Sequence, residues 1–290
     1  MLPLDDGERK QHLDAVSAQA LRRELPSREQ LMKGARMKSR LALGALMVLV
    51  LAAVAATGAA SAAPGLNYTC TGGSIGTNTY ASITVTGFCD VVPGAVINVT
   101  GNIDVAPGAF FDAQSAPSTI TVGHNVTAGA GSALGLGCLP DGVHAGHPCA
   151  SDPNASSNIT VKGNVSATNA AVVLLNGITV NKNVSLNGGE GNDWIFKWDT
   201  IGGNFTANGI TPDFFLLGFS NIGGNANLSN IWAVDPGDGG FGAVNLVLNT
   251  IGQNLNCTGL GPRLSGGFIP GAVNTVGHQT TGQCVGLVGG

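Results

Sequence analysis

The chain has 290 residues, with 45 glycines, 43% hydrophobic residues, only 10% charged residues and a formal net charge of −4. The acidic balance excludes the basic footprint that nucleic-acid binding needs, and also attraction to an anionic lipid surface.

Residues 1–36 read as a charged, helix-forming extension, and equally as a mis-assigned start if translation begins at Met37. Lys38 and Arg40 precede an apolar run over residues 41–56, and Ala60, Ser61 and Ala62 follow it. That order of charged, apolar and small residues predicts a secretory signal over residues 37–62, cut after Ala62. The alternative keeps residues 41–62 as an uncleaved membrane anchor, since the run is long enough to cross a bilayer. The expected localisation is secreted or cell-surface in the first case, and single-pass membrane-anchored with an extracellular domain in the second. Residues 63–290 then keep four Lys or Arg against eleven Asp or Glu, a net charge of −7.

This remainder is organised by a nine-residue phrase, clearest as Ile178-Thr179-Val180-Asn181-Lys182-Asn183-Val184-Ser185-Leu186. Copies centre on Asn102, Asn125, Asn164, Asn183, Asn204, Asn225 and Asn254, with a degenerate one at Gln279. Repetition every 20 residues or so predicts stacked units that cannot bury an apolar face alone. Within each phrase apolar residues alternate with Thr, Ser or Asn, which is strand periodicity. A third apolar run lies between phrases, as at Trp194-Ile195-Phe196. Three short strands per repeat predict an all-β fold: a single parallel β-helix over residues 63–290, about 20 residues per coil, after an N-terminal hydrophobic helix. Residues 63–95 are expected to cap it, and residues 129–157, of loop composition, to interrupt it. The central Asn and its preceding Gly are expected at a sharp turn that uses left-handed backbone angles, with the amides stacked from coil to coil. The same residues place ten N-x-S/T sequons in the chain, several on the ladder itself.

All six cysteines lie beyond residue 62. An even count after an export signal predicts disulfides. Of fifteen connectivities, sequential pairing suits a solenoid: Cys70–Cys89, Cys138–Cys149 and Cys257–Cys284.

Four constellations are candidates for chemistry. Between Cys138 and Cys149 stand Asp141, His144 and His147, ligand types that zinc or copper takes. Residues 188–196 match the G-G-x-G-x-D-x-U-x calcium nonapeptide, with Asp193 as the ligand, but no second copy follows. Calcium is therefore a candidate ion, and no other cofactor is expected. Lys162, Lys182, Glu190, Asp193 and Asp199 form the one charged neighbourhood that acid–base chemistry on a polysaccharide would use. A Thr file (Thr121, Thr160, Thr179, Thr200, Thr250, Thr275) suits ordinary β-branched filling and, alternatively, an ordered face for ice or a crystalline glycan. His124 and His278 sit beside the ladder as turn residues. No catalytic residue is assigned.

The closing phrases, Asn249-Thr250-Ile251-Gly252-Gln253-Asn254-Leu255-Asn256-Cys257 and Asn274-Thr275-Val276 through Gly282-Gln283-Cys284, resemble those of uncharacterised secreted repeat proteins of actinobacteria. Those read N-T-[IV]-G-G-N-L-x-C and end in G-Q-C; Gln253 and Gln279 depart from the pattern. The resemblance implies export and a repeat scaffold, and supplies no catalytic residues. The wider resemblance to parallel β-helices implies a right-handed coil. The expected function is a non-enzymatic extracellular scaffold or adhesion module, whose partner is a cell-envelope or extracellular glycan or protein. The alternatives are a polysaccharide lyase or hydrolase and a calcium- or ice-binding surface.

Overall fold

The alternation within each phrase decides which side chains face inward, and stacking the phrases closes the core. The computed structural model describes residues 65–140, 146–234, 244–266, 269 and 271–289. These form a parallel β-helix, and residues 63–290 make one compact unit.

The coil around Asn183 shows the plan. Thr179–Val180 lies on a first face, Val184–Asn187 on a second and Asp193–Lys197 on a third. The next coil repeats each strand in parallel register, pairing Thr179 with Thr200, Val184 with Phe205 and Asp193 with Phe214. Val180, Val184, Leu186, Trp194 and Phe196 point inward and are fully buried. Between them Thr179, Ser185 and Asn187 face out. Stacking gives the core its aromatic contacts, such as Phe196 against Phe205 at 5.1 Å between ring centroids.

Two expected segments carry solenoid strands. Residues 63–95 are not only a cap: Leu66–Cys70 pairs with Asn78–Val85, and Gly73–Ile75 with Phe88–Val91, so paired strands begin there. Tyr80, Ile83 and Val85 alternate inward there as in later coils. Nor are residues 129–157 all loop, because Ala133–Leu136 is a strand of the third face, in register with Phe110–Ala113 and Val172–Asn176. Its glycine-rich composition masks the inward Leu134 and Leu136.

At the carboxyl end, Gln283 opens a short 3-10 turn over Gln283–Leu287. Its side chain accepts from Leu260 N–H at 2.7 Å and donates to Leu260 C=O at 2.8 Å, covering a backbone edge that would otherwise recruit another strand. Among the described residues no helix is long and apolar enough to cross a membrane. The predicted signal or anchor over residues 37–62 and the extension over 1–36 lie outside them.

The six cysteines form three disulfides, Cys70–Cys89, Cys138–Cys149 and Cys257–Cys284. Three disulfides fit an oxidising compartment. The last spans 27 residues and ties the final coils together. Replacing Cys257 and Cys284 by Ser is expected to cost about 3 kcal/mol, read in thermal unfolding as a Tm lower by roughly 6–12 °C. A Tm unchanged under oxidising conditions would refute that role.

Candidate functional site

The corner between the first and second faces is built on the repeated Asn. Each ladder Asn offers its side-chain oxygen to the next coil's ladder residue. Asn125 N–H donates to Asn102 Oδ1 at 3.0 Å, Asn164 to Asn125 at 2.9 Å and Asn183 to Asn164 at 3.1 Å. Asn204, Asn225, Asn254 and Gln279 continue the file by the same bond. Several amides add a side-chain bond, such as Asn183 Nδ2 to Asn164 Oδ1 at 3.0 Å.

The expected left-handed angles are not found at this corner. Neither the ladder Asn residues nor Gly163, Gly203 and Gly224 before them have positive φ. Those glycines answer a different demand, close approach between coils. A Cβ at Gly203 would overlap Asn183 Oδ1 and crowd the Lys182 carbonyl, and one at Gly224 would overlap Asn204 Oδ1. The left-handed residues lie instead at the other corners, at Asn169 and Asn192, and at Trp198, Phe219 and Leu248.

Beside the amide file runs a groove of about 480 Å³. Asn125, Asn164, Asn183 and Asn204 form one wall, and Thr127, Ser166, Ser185 and Thr206 the other. The hydroxyl file is continuous because register stacks these four residues on the second face. Thr127 Oγ1 donates to Asp104 Oδ1 at 2.7 Å. The hydroxyls of Ser166, Ser185 and Thr206 bond to no protein group among the described residues. The groove therefore presents neutral hydrogen-bonding groups at one set per coil, roughly every 4.8 Å along the axis.

The charged neighbourhood expected for acid–base chemistry comes apart, which corrects that expectation. Lys162 and Lys182 are exposed at the Asn corner, Glu190 and Asp193 stand at and just after the second corner, and Asp199 is buried at the third. Twenty-residue coils bring neighbours in sequence to different corners, so closeness along the chain does not become closeness in space. Asp193 stacks on Phe214 rather than on a second carboxylate. Among the described residues no three His, Cys, Asp or Glu gather as a metal site.

His144 and Asp141 lie outside the described residues. His147 is half-buried within the inserted segment, where desolvation, then the nearby Lys197 charge, lower its pKa to about 4. Lys197 is buried and donates to Gly146 C=O at 3.2 Å. An ammonium beside a neutral imidazole is electrostatically unlike a cation-binding site. The Thr file does stand in register on the first face, but strands such as Thr179–Val180 and Thr200–Ile201 contribute a single outward residue each.

A second ladder was not anticipated. At the third corner Ile178 N–H donates to Asp199 Oδ1, Asp199 N–H to Ser220 Oγ, Ser220 N–H to Asn249 Oδ1 and Asn249 N–H to Asn274 Oδ1. All four side chains are buried. The signal is five residues before each ladder Asn: Ile97, Ile120, Ile159 and Ile178 in the earlier coils, then Asp199, Ser220, Asn249 and Asn274. Comparison of the chain with family models, curated proteins and solved structures finds no match.

Proposed function

We propose that the protein is an exported, non-catalytic scaffold that holds a glycan or protein at the cell envelope or outside the cell. The observation that carries this reading is the division of labour between the faces. Two faces present in-register files of Thr, Ser and Asn, while the ionisable groups that acid–base catalysis would need stand at different corners. A neutral, regularly spaced surface suits recognition of an extended partner over several coils, because many weak contacts at one repeat add up along it. The three disulfides and the predicted signal support export.

The test mixes the oxidised protein with insoluble cell-wall and pectin-type polysaccharides in the presence of calcium, and scores both pelleting and new reducing ends. The expected result is pelleting without release. Released sugar ends would sink the scaffold reading and make the protein an enzyme.

A further inference from the structure

We infer that the groove along the Asn corner binds a carboxylated polysaccharide, a polyuronate chain lying along the solenoid axis. This rests on the scaffold reading and names its ligand class. Three independent features of the groove point the same way.

The first is its walls. Each ladder amide has two N–H donors; Asn164 and Asn183 each use one on the preceding Asn. The second donor has no partner among the described residues, and the same groove is lined by a file of hydroxyls, Ser166, Ser185 and Thr206, that no protein group satisfies there. Alternating amide donors and hydroxyls match the ring oxygens and hydroxyls of a sugar chain. The volume, about 480 Å³, is in the range of ligand clefts.

The second feature is charge. Lys162 and Lys182 are the only exposed lysines among the described residues, and both stand at this corner on consecutive coils. Neither makes an ion pair or side-chain hydrogen bond among the described residues. Such a concentration in an acidic chain is what a ligand carrying one negative charge per sugar would meet. The overall charge of the protein opposes such a ligand at long range, where salt screens it beyond about 8 Å; close by, the one opposing carboxylate in the file is Asp104, at the end where it is bonded to Thr127.

The third is the room left for Lys182. Its backbone N–H donates to Gly163 C=O, and Gly203 N–H donates to its own carbonyl, so glycine occupies the same turn position on both neighbouring coils. A Cβ at either glycine would overlap the ladder Asn oxygen of the preceding coil. Lys182, exposed and not itself a lining residue of the groove, therefore has no side chain at its turn position on either neighbouring coil, which leaves its flexible four-carbon stem room to reach across the corner. A carboxylate fits better than a phosphate. The corner N–H groups that could cradle a phosphate are spent on the ladder, and no arginine stands there for a bidentate grip.

The test measures affinity of the oxidised full-length protein for polygalacturonate, its methyl ester and poly(glycerol phosphate), by calorimetry at two salt concentrations. The variants are Lys162→Gln with Lys182→Gln, and Ser185→Tyr, which fills the groove from an exposed position. Binding of polygalacturonate is expected to weaken roughly tenfold or more in the lysine pair, to weaken with salt and to fail in Ser185→Tyr, with all Tm values unchanged. Unaltered affinity in both variants would overturn the groove assignment. Preference for the methyl ester, or for the phosphate polymer, would overturn the carboxylate assignment and leave the scaffold reading standing. No binding here, but pelleting with an insoluble wall glycan, would do the same. No binding in either assay would remove both.

Discussion

Asn249→Ala is expected to cost about 4 kcal/mol and to lower the Tm by roughly 8–16 °C. The side chain is 1% exposed and engaged on every side. Its Oδ1 accepts from Ser220 N–H at 3.1 Å, and its Nδ2 donates to Leu217 C=O at 2.8 Å and Asn274 Oδ1 at 2.9 Å. Truncation strands a buried N–H and a buried carbonyl, each costing about 1–3 kcal/mol, because no water reaches them. It also leaves a void beside Leu217 and Leu246, where side chains are fully buried. Asn225→Ala is the matched control. That amide belongs to the half-exposed outer ladder, where water replaces the lost group, so its cost is expected to be smaller. Thermal unfolding of both variants tests the pair. Equal losses, or a loss at Asn249 of only about 1 °C, would mean that the inner ladder contributes little beyond its volume.

The outer ladder was legible because it repeats one residue at one offset, and the fold followed from that. Asn102 through Asn254 recur with apolar residues at fixed positions on both sides, and strand alternation around them leaves one way to close the core. The inner ladder hid because it is a substitution within the repeat. Four coils place Ile at that position and four place Asp, Ser or Asn, so an average over all copies reads as a mixed surface site. Only treating the copies in order shows a block of polar residues facing inward. Burial then forces them to bond to one another and to nearby backbone carbonyls, since no water reaches them in an apolar core.

The candidate site was half legible. The Asn file and the Ser and Thr two residues further on were visible in the phrase, but not that they form two walls of one groove. That depends on where the chain turns, and the turn is set by contacts between coils. Gly163, Gly203 and Gly224 show why: in the sequence they read as flexible turn residues, whereas in the fold a Cβ at each would overlap the ladder Asn oxygen of the preceding coil, although other coils carry Lys182 or Gln253 at the same turn position. The dispersal of Glu190, Asp193 and Asp199 has the same origin. Two corners within ten residues, on either side of the strand Asp193–Lys197, send the acids in different directions.

Asp199→Asn is expected to stabilise the protein by up to about 4 kcal/mol at pH 7, and to abolish a fall in stability between pH 6.5 and 8. Desolvation raises the Asp199 pKa from 3.8 to about 8, against hydrogen bonds from Ile178 and Gly177 and the Lys197 charge, which lower it. The geometry gives the same answer. Oδ2 has no partner among the described residues. Asn249 and Asn274, its ladder counterparts, aim an N–H at Leu217 C=O and Leu246 C=O, three residues before the preceding rung. In that register Asp199 faces the carbonyl of Leu175, where a carboxylate oxygen repels and a protonated acid or an amide donates. The folded state therefore holds a proton that the unfolded chain has released at pH 7. A raised acid pKa gives stability that is complete below about 3.8 and is lost as pH rises through about 8. His147 runs the other way: its pKa is lowered from 6.5 to about 4, so its contribution is present above 6.5 and is lost as pH falls through about 4. The two oppose each other between pH 4 and 6.5, which leaves Asp199 alone above it. Over that upper window, about 1.5 pH units at 1.36 kcal/mol each, the native protein should lose roughly 2 kcal/mol, or a Tm decrease of roughly 4–8 °C. Asp199→Asn should melt at one temperature across the window and above the native protein throughout. A pH profile parallel to that of the native protein would show that Asp199 is ionised in the folded state, and that the inner ladder tolerates a buried charge.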